Sequence, residues 1–425
     1  MKISKKYVIF GIVAIMLITA VIIIICAVNV GKTVPAVNTM PFDTVLSNEQ
    51  AAEDLEFMYK AVKQTHPCYL DNSGLGDAFD AAYEQAKNQL SGYDSITVGE
   101  LWRIGAVMYC SINDGHTIMT FRGSREVLEK DKIGKNEILS VDGVSYEELL
   151  ARFKKVFPFE PQVEFYADYM LTECLKLESW NMLLGLDTSD GITLQLQSEN
   201  GTETKELTFG YPDLSQNTET DNDRESFYSY RIYEDTSSAV FTLDECTVTD
   251  GYKAALSDFF KEVAEKNIRR VAVDLRKNGG GNSQVINEFM KYVDVDDYGI
   301  FGATIVREDD KLTEYEGYRE ANKKEQNVFS GELYALTSNY TFSSGMDFAV
   351  TISDNKLGKV IGEIPGNMPT SYGDKLYFQP PNSKLLCQVS YKKFCRVDRS
   401  KDDIPLIPDI KTDEKDALDT FLNLN

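Results

Sequence analysis

Residues 269–283 read Arg-Arg-Val-Ala-Val-Asp-Leu-Arg-Lys-Asn-Gly-Gly-Gly-Asn-Ser. The apolar run at the start reads as a buried strand, the three glycines as a strand-to-helix turn, and the sequence from 282 as a helix. A glycine run in that position presents backbone N–H groups at a helix N-terminus, a geometry that binds phosphate or an oxyanion. The spacing matches neither G-x-x-x-x-G-K-[ST] nor G-x-G-x-x-G, which removes the usual nucleotide readings. A tight turn with no ligand is the plain alternative.

Outward from this stretch the pattern stays αβ. A strand at 238–242 and a helix at 250–266 precede it. A strand at 332–337, a helix from 343 and a strand at 358–362 follow it. Strands alternating with helices imply a sheet covered by helices. Upstream, three helical patterns occupy roughly 47–65, 74–91 and 97–110, the first with Leu55, Met58, Tyr59 and Val62 at i, i+3, i+4, i+7. Between 118 and 210 short strands mix with helical stretches near 146–157 and 164–178. Pro212–Ser226 has few apolar residues and reads as a boundary loop. The expected division is an anchor at 1–30, a tether at 31–43, a helical domain at 44–117, an α+β cap at 118–225 and an α/β core at 226–425.

The chain has 425 residues, a size that buries a substantial core. Its 67 acids against 44 bases give a net charge of −23, which argues against a nucleic-acid partner. At the N-terminus Lys2, Lys5 and Lys6 precede an apolar run from Tyr7 to Val30. The 21 uncharged residues Val8–Val28 would span about 31 Å as a helix, close to a bilayer core. The run is longer than a signal peptide's apolar region, and Cys26 lacks the small neighbours of a lipidation site. The pattern therefore favours an uncleaved single-pass anchor over a cleaved signal or a lipoprotein. The lysines put the N-terminus in the cytoplasm and the rest outside. The six cysteines beyond the run permit disulfides or buried thiols equally. No C-x-x-C or comparable cluster supports zinc, and Asp294–Gly299 fails as a calcium loop because Tyr298 stands at its fifth position. No metal or organic cofactor is expected.

Three segments carry candidate chemistry. The glycine turn offers the amides of Gly280 and Gly281. Leu333–Val350 places Ser343 and Ser344 at a strand-to-helix junction, near the positive end of a helix dipole; an N-cap serine is the bland reading there. Ser111–Met119 delivers His116 through an Asp-Gly turn; its bland reading is a surface histidine, and its functional reading a base near neutral pH. The only other histidine, His66, precedes Pro67 and reads as a local stacking or capping residue. A serine, a histidine and an N–H nest together make an acyl-transfer site.

The ordered pieces Asp114–Thr117 (DGHT), Asp274–Gly281 (DLRxNxGG), Thr341–Ala349 (TFSxxxDFA), Val360–Gly366 (VIGExxG), Tyr372–Asp374 (YGD), Pro381–Ser383 (PNS) and Pro408-Asp409 resemble the tail-specific (C-terminal processing) and tricorn-core serine peptidases. Membrane-anchored members share the layout. The resemblance implies a crotonase-like spiral α/β core and peptide-bond cleavage, often near a C-terminus. It puts Ser343 on the nucleophile, Gly280 or Gly281 with Ser344 on the oxyanion hole, and His116 on the base of the histidine-using branch. Two positions depart from the pattern. Met346 stands where glutamate is frequent, and Gly362–Met368 has no lysine, which weighs against a Ser–Lys dyad. Asp114, Glu363, Asp402 and Asp403 are candidates to orient His116. Ile133–Leu149 resembles the end of a PDZ module without its carboxylate-binding loop, hence a degenerate PDZ-like cap. The expectation is a membrane-anchored extracytoplasmic serine endopeptidase acting on peptides or proteins. The rival is a catalytically inactive peptide-binding protein on the same fold. An ester hydrolase is disfavoured because G-x-S-x-G is absent.

Overall fold

The computed structural model describes residues 37–128, 138–198, 201–211 and 227–424. The expected anchor, the boundary loop Pro212–Ser226 and the first part of the tether lie outside the described residues. Among the described residues, no helix is long and apolar enough to cross a membrane. Residues 37–43, the described part of the expected tether, make hydrogen bonds to the body. Val37 N–H donates to Gln379, Thr39 N–H to the Arg122 carbonyl and Met40 N–H to the Ser383 carbonyl.

Helices α1 (Asn48–Thr65), α2 (Leu75–Leu90) and α3 (Val98–Cys110) come first. Ser47 with Gln50, and Thr97 with Glu100, form reciprocal capping boxes that start α1 and α3. The chain then turns through Asp114–Thr117 into a short strand, β1 (Ile118–Thr120). The following segment is a four-stranded antiparallel sheet in the order Val144–Ser145, Ile138–Val141, Ile192–Ser198, Gly201–Leu207, with helices Tyr146–Phe153, Phe165–Cys174 and Glu178–Leu183.

The remaining elements are β2 (Tyr228–Tyr233), β3 (Ser238–Leu243), α4 (Asp250–Glu265), β4 (Arg270–Asp274), α5 (Gln284–Met290), β5 (Ala303–Glu308), β6 (Lys311–Glu316), β7 (Glu332–Thr337), α6 (Ser344–Asp354), β8 (Gly358–Gly362), β9 (Ser371–Phe378), β10 (Leu386–Cys395), β11 (Ile410–Lys411) and α7 (Ala417–Leu422). Six of them make one sheet in the order β2-β3-β4-β7-β8-β11, parallel except for the β2–β3 pair. Strand β4 is buried at every residue, which is why its centre, Val271–Val273, is continuously apolar rather than alternating. Phe241, Phe259, Phe289 and Phe348 pack one face of the sheet. Ala272, Leu336 and Ile361 pack the other against Phe421 of α7.

A second, antiparallel sheet runs β6-β5-β10-β9, and β1 pairs with β10 through Ile118 opposite Gln388 and Thr120 opposite Leu386. The strand after the His-bearing turn thus belongs to a sheet built from the C-terminal half. The apolar core follows the same logic. Met58 of α1, Trp102 of α3, Phe153 and Trp180 of the middle segment, and Cys387 and Val389 of β10 share one buried cluster. Cys68, Cys110, Cys174, Cys246, Cys387 and Cys395 are all free thiols.

One buried ion pair ties the two sheets together behind the site. Arg396, just past β10, makes a two-pronged contact with Asp354 at the end of α6, both prongs at 2.8 Å. Removing one partner strands a charge in a dry environment, at a cost of about 3–5 kcal/mol. Arg396→Met is therefore expected to lower stability by that amount in chemical denaturation. Arg399→Met, which removes a largely exposed pair with Asp402 and Glu314, is expected to change it by no more than ~1 kcal/mol.

Candidate active site

The nucleophile candidate sits at a strained junction. After β7, Ser338 N–H donates to Thr341 Oγ1, Thr341 Oγ1–H to the Leu275 carbonyl, and Phe342 N–H to the Asn278 carbonyl. The chain then reaches Ser343 at φ 52° and ψ −127°, outside the comfortable range of an L-residue. Asn367 Oδ1 accepts the Ser343 N–H at 2.7 Å and helps to hold the strain. Ser343 occupies the N-cap position of α6, yet its side chain caps nothing. Its hydroxyl opens on a cavity of about 560 Å³ lined also by His116, Gly281, Ser344, Asp347 and Tyr372.

The glycine turn is ordered by Asn278. Its Oδ1 accepts Gly280 N–H at 2.8 Å and the Cys246 thiol at 3.3 Å, while its Nδ2 donates to the Leu243 carbonyl. The Gly280 amide is thereby committed to a side chain, which removes it from the expected anion site. Gly281 differs. The Gly280 carbonyl and Asn282 N–H bond to Cys246 on either side of it, which turns Gly281's own amide away from that strand. The Ser344 hydroxyl donates to the Gly281 carbonyl at 2.9 Å and meets Ser283 Oγ at 2.8 Å. No side chain fits at either glycine. A Cβ at Gly280 would lie 2.6 Å from Ser343 Cβ, and one at Gly281 (φ 135°) 2.3 Å from the Cys246 carbonyl.

His116 arrives from the opposite side of the cavity, carried by the β1–β10 pairing. Gln388 Nε2 holds its carbonyl at 2.8 Å, and its ring packs on Phe342, which in turn stacks on Tyr166. The ring is 5% exposed, and neither nitrogen has a hydrogen-bond partner. Asp114, fully buried, lies beneath it. Its Oδ1 accepts His116 N–H at 2.9 Å and stands 3.7 Å from Nδ1, an ion-pair distance rather than a hydrogen bond. Its Oδ2 accepts from Thr117 Oγ1 at 2.6 Å, Ser390 Oγ at 2.7 Å and His66 Nε2 at 3.2 Å. The His66 Nδ1 accepts Cys68 N–H, which fixes its tautomer with the proton on Nε2. Burial alone would raise the Asp114 carboxyl; the hydrogen bonds and charges of His116 and His66 outweigh it and hold the group well below the usual range.

The other expected orienting carboxylates are engaged elsewhere. Glu363 accepts the Asn339 N–H at 3.0 Å and the Glu414 N–H, bracing the turn that leads to Ser343. Asp402 takes Thr370 Oγ1 and Arg399, and Asp403 is exposed. None of the three bonds to His116. The sequence reading missed Asn278 and Asn367 as site residues and did not consider Glu160, which lies beside His116. Asp347, on the first turn of α6, lines the cavity as well; burial pushes its carboxyl up to about 8 despite a hydrogen bond with Ser283. Burial likewise lowers Lys375 on the far wall, opposed by the charges of Asp114 and Asp374.

The Asp114 network sets a pH dependence. A carboxyl depressed on folding stabilises the protein fully above its unfolded value, about 4, and that stability is lost as pH falls below it. Wild-type stability is expected to drop steeply between about pH 4 and 2 in an acid denaturation series, while Asp114→Asn starts lower at pH 7 and shows a shallower acid slope.

Residues 239–411 match the family model described as Peptidase family S41. No curated protein sequence matches the chain. Among solved structures, mature CPAF complexed with lactacystin aligns with a TM-score of 0.65 at 12% identity, covering 88% of this chain and 96% of that one. A serine-to-alanine mutant of CPAF aligns with a TM-score of 0.64 at 12% identity, covering 88% and 95%. The photosystem II D1 C-terminal processing protease aligns with a TM-score of 0.47 at 13% identity, covering 86% and 94%. At these identities the likeness to CPAF is one of fold, a mixed α/β architecture shared over nearly the whole described chain. The matched segment spans β3 to β11, less than half of the chain, and contains both the glycine turn and Ser343; over that segment the chain is similar to peptidase family S41, and the likeness supports a serine-type peptidase.

Proposed function

We propose that this peptidase is an endopeptidase that works through Ser343 and His116. The observation that carries the reading is the pairing across one cavity of an uncapped serine hydroxyl, held at a positive φ, with a buried imidazole whose nitrogens are uncommitted. In the first half-reaction Ser343 Oγ attacks the scissile carbonyl carbon and His116 takes its proton. The tetrahedral oxyanion is met by the amides of Gly281 and Ser344, the kind of contact whose loss costs about 3–4 kcal/mol per donor. His116 then protonates the leaving amine, the C–N bond breaks and an acyl-enzyme remains. In the second half-reaction water loses a proton to His116 and attacks the ester carbonyl, the C–Oγ bond breaks to release the new C-terminal acid, and His116 returns the proton to Ser343 Oγ.

The substrate in this reading is an extended peptide lying beside the glycine turn, with cleavage near its C-terminus as the family resemblance implies. The middle segment serves as a degenerate PDZ-like cap over the cleft. The apolar run at residues 7–30 serves as a single-pass anchor that leaves the peptidase outside the cytoplasm; the support for that is the sequence pattern alone. The inactive-binder reading shares the fold and differs in one respect, because it requires no covalent chemistry at Ser343.

Full-length protein incubated with a mixed peptide library and read by mass spectrometry separates the two. Wild type is expected to cleave, with Ser343→Ala and His116→Ala each slower by roughly 10³-fold or more. Gly281→Ala is expected to lose activity by at least about 10²-fold. Cleavage that survives in Ser343→Ala would overturn the nucleophile. Capture of peptides without cleavage by the wild type would favour the inactive binder.

A further inference from the structure

The proposed base and the carboxyl of a neighbouring glutamate are both buried without partners. Both ring nitrogens of His116 and both carboxyl oxygens of Glu160 are buried without a hydrogen bond. Glu160 is 7% exposed. One atom each from Glu160, His116 and Asp114 lie within 4.8 Å of one another. Glu160 comes from Phe157-Pro-Phe-Glu-Pro161, just before the single 3₁₀ turn Pro161–Val163, and its Oε2 lies 3.5 Å from where a Cβ would stand on Gly115.

The chemistry of the step calls for an acceptor there. When His116 removes the Ser343 proton, the ring becomes an imidazolium with two N–H groups, one toward Ser343 and one away from it. Asp114 balances the charge at 3.7 Å, but its Oδ1 already accepts the His116 main-chain N–H and its Oδ2 is filled by Thr117, Ser390 and His66. We propose that Glu160 is a positioning residue for His116, whose ionised carboxyl accepts the ring N–H turned away from Ser343 and so fixes the tautomer that can act as a base. The assignment rests on the Ser343–His116 reading. No covalent bond changes at Glu160; the hydrogen bond alone is made and kept.

Burial, then the charge of Asp114, push the Glu160 carboxyl up to about 8. A protonated Glu160 would donate to the ring and leave the proton on the nitrogen facing Ser343, the wrong tautomer for a base. Asp114, His116 and the buried phenol of Tyr166 are titratable groups near Glu160, with Lys375 acting on Asp114 from β9.

The test is the rate at which a fluorophosphonate probe labels Ser343 of the full-length protein between pH 5 and 10. For wild type the logarithm of the rate is expected to keep rising through about pH 8, where Glu160 ionises. Glu160→Gln is expected to lose that part of the rise and to reach a plateau at least 10-fold lower. Glu160→Asp should fall between. Labelled Ser343 with a Glu160→Gln profile within twofold of wild type at every pH would overturn the role of Glu160 alone. A wild type that is not labelled at Ser343 would overturn the Ser–His reading and this proposal with it. A variant-free measurement guards against misfolding. The chain has only two histidines, so ¹⁵N-histidine spectra of the wild type resolve both rings. Above pH 9 His116 of the wild type is expected as a single tautomer; an even tautomer mixture would contradict the proposal.

Discussion

A single buried carboxylate holds the cleft together. Asp114 receives hydrogen bonds from His66 at the end of α1, from Thr117 and the main chain of its own turn, and from Ser390 on β10. Those donors belong to three segments far apart in sequence, so folding must bring all three together before the charge is satisfied. An ionised carboxylate left without them in that dry surrounding would be strongly disfavoured. The same constraint fixes the height at which His116 enters the cavity, because β1 follows it directly and pairs with β10.

The two halves of the site rest on different supports. Ser343, the glycine turn and their bracing residues Asn278, Asn367 and Glu363 stand at the ends of parallel strands β4, β7 and β8. This is the end of an α/β sheet where binding crevices form. His116 and Asp114 stand on the antiparallel sheet. The Arg396–Asp354 pair and the aromatic contacts of Phe342 with His116 and Tyr166 connect the supports. Strain at Ser343 can persist because hydrogen bonds from several directions over-determine its backbone.

Much of this was legible in the sequence where the signal is local. The capping boxes at Ser47 and Thr97, the continuous apolar run of β4, and the strands at 332–337 and 358–362 follow from short-range pattern. Ser343, His116 and the glycines stood out because turn chemistry and an ordered series of short motifs mark them. The antiparallel sheet was not legible, since β5, β6 and β9 carry mixed, half-buried residues whose alternation is weak. Glu160 was hidden for a different reason. A glutamate between a phenylalanine and a proline has no periodic signature, and its meaning arises only from the desolvation that distant segments impose. Gly280 shows the reverse: the motif marks it, but the Asn278 side chain claims its amide, a contact that spacing alone does not reveal.

The central claim is that Ser343 and His116 act on the same carbonyl. A high-resolution structure of the full-length protein after reaction with a fluorophosphonate tests it most directly. The account predicts a phosphonyl group on Ser343 Oγ, its oxygen held by the amides of Gly281 and Ser344, and a His116 ring nitrogen within about 3 Å of Oγ. A phosphonyl group on another residue, or one on Ser343 with His116 out of reach, would contradict it.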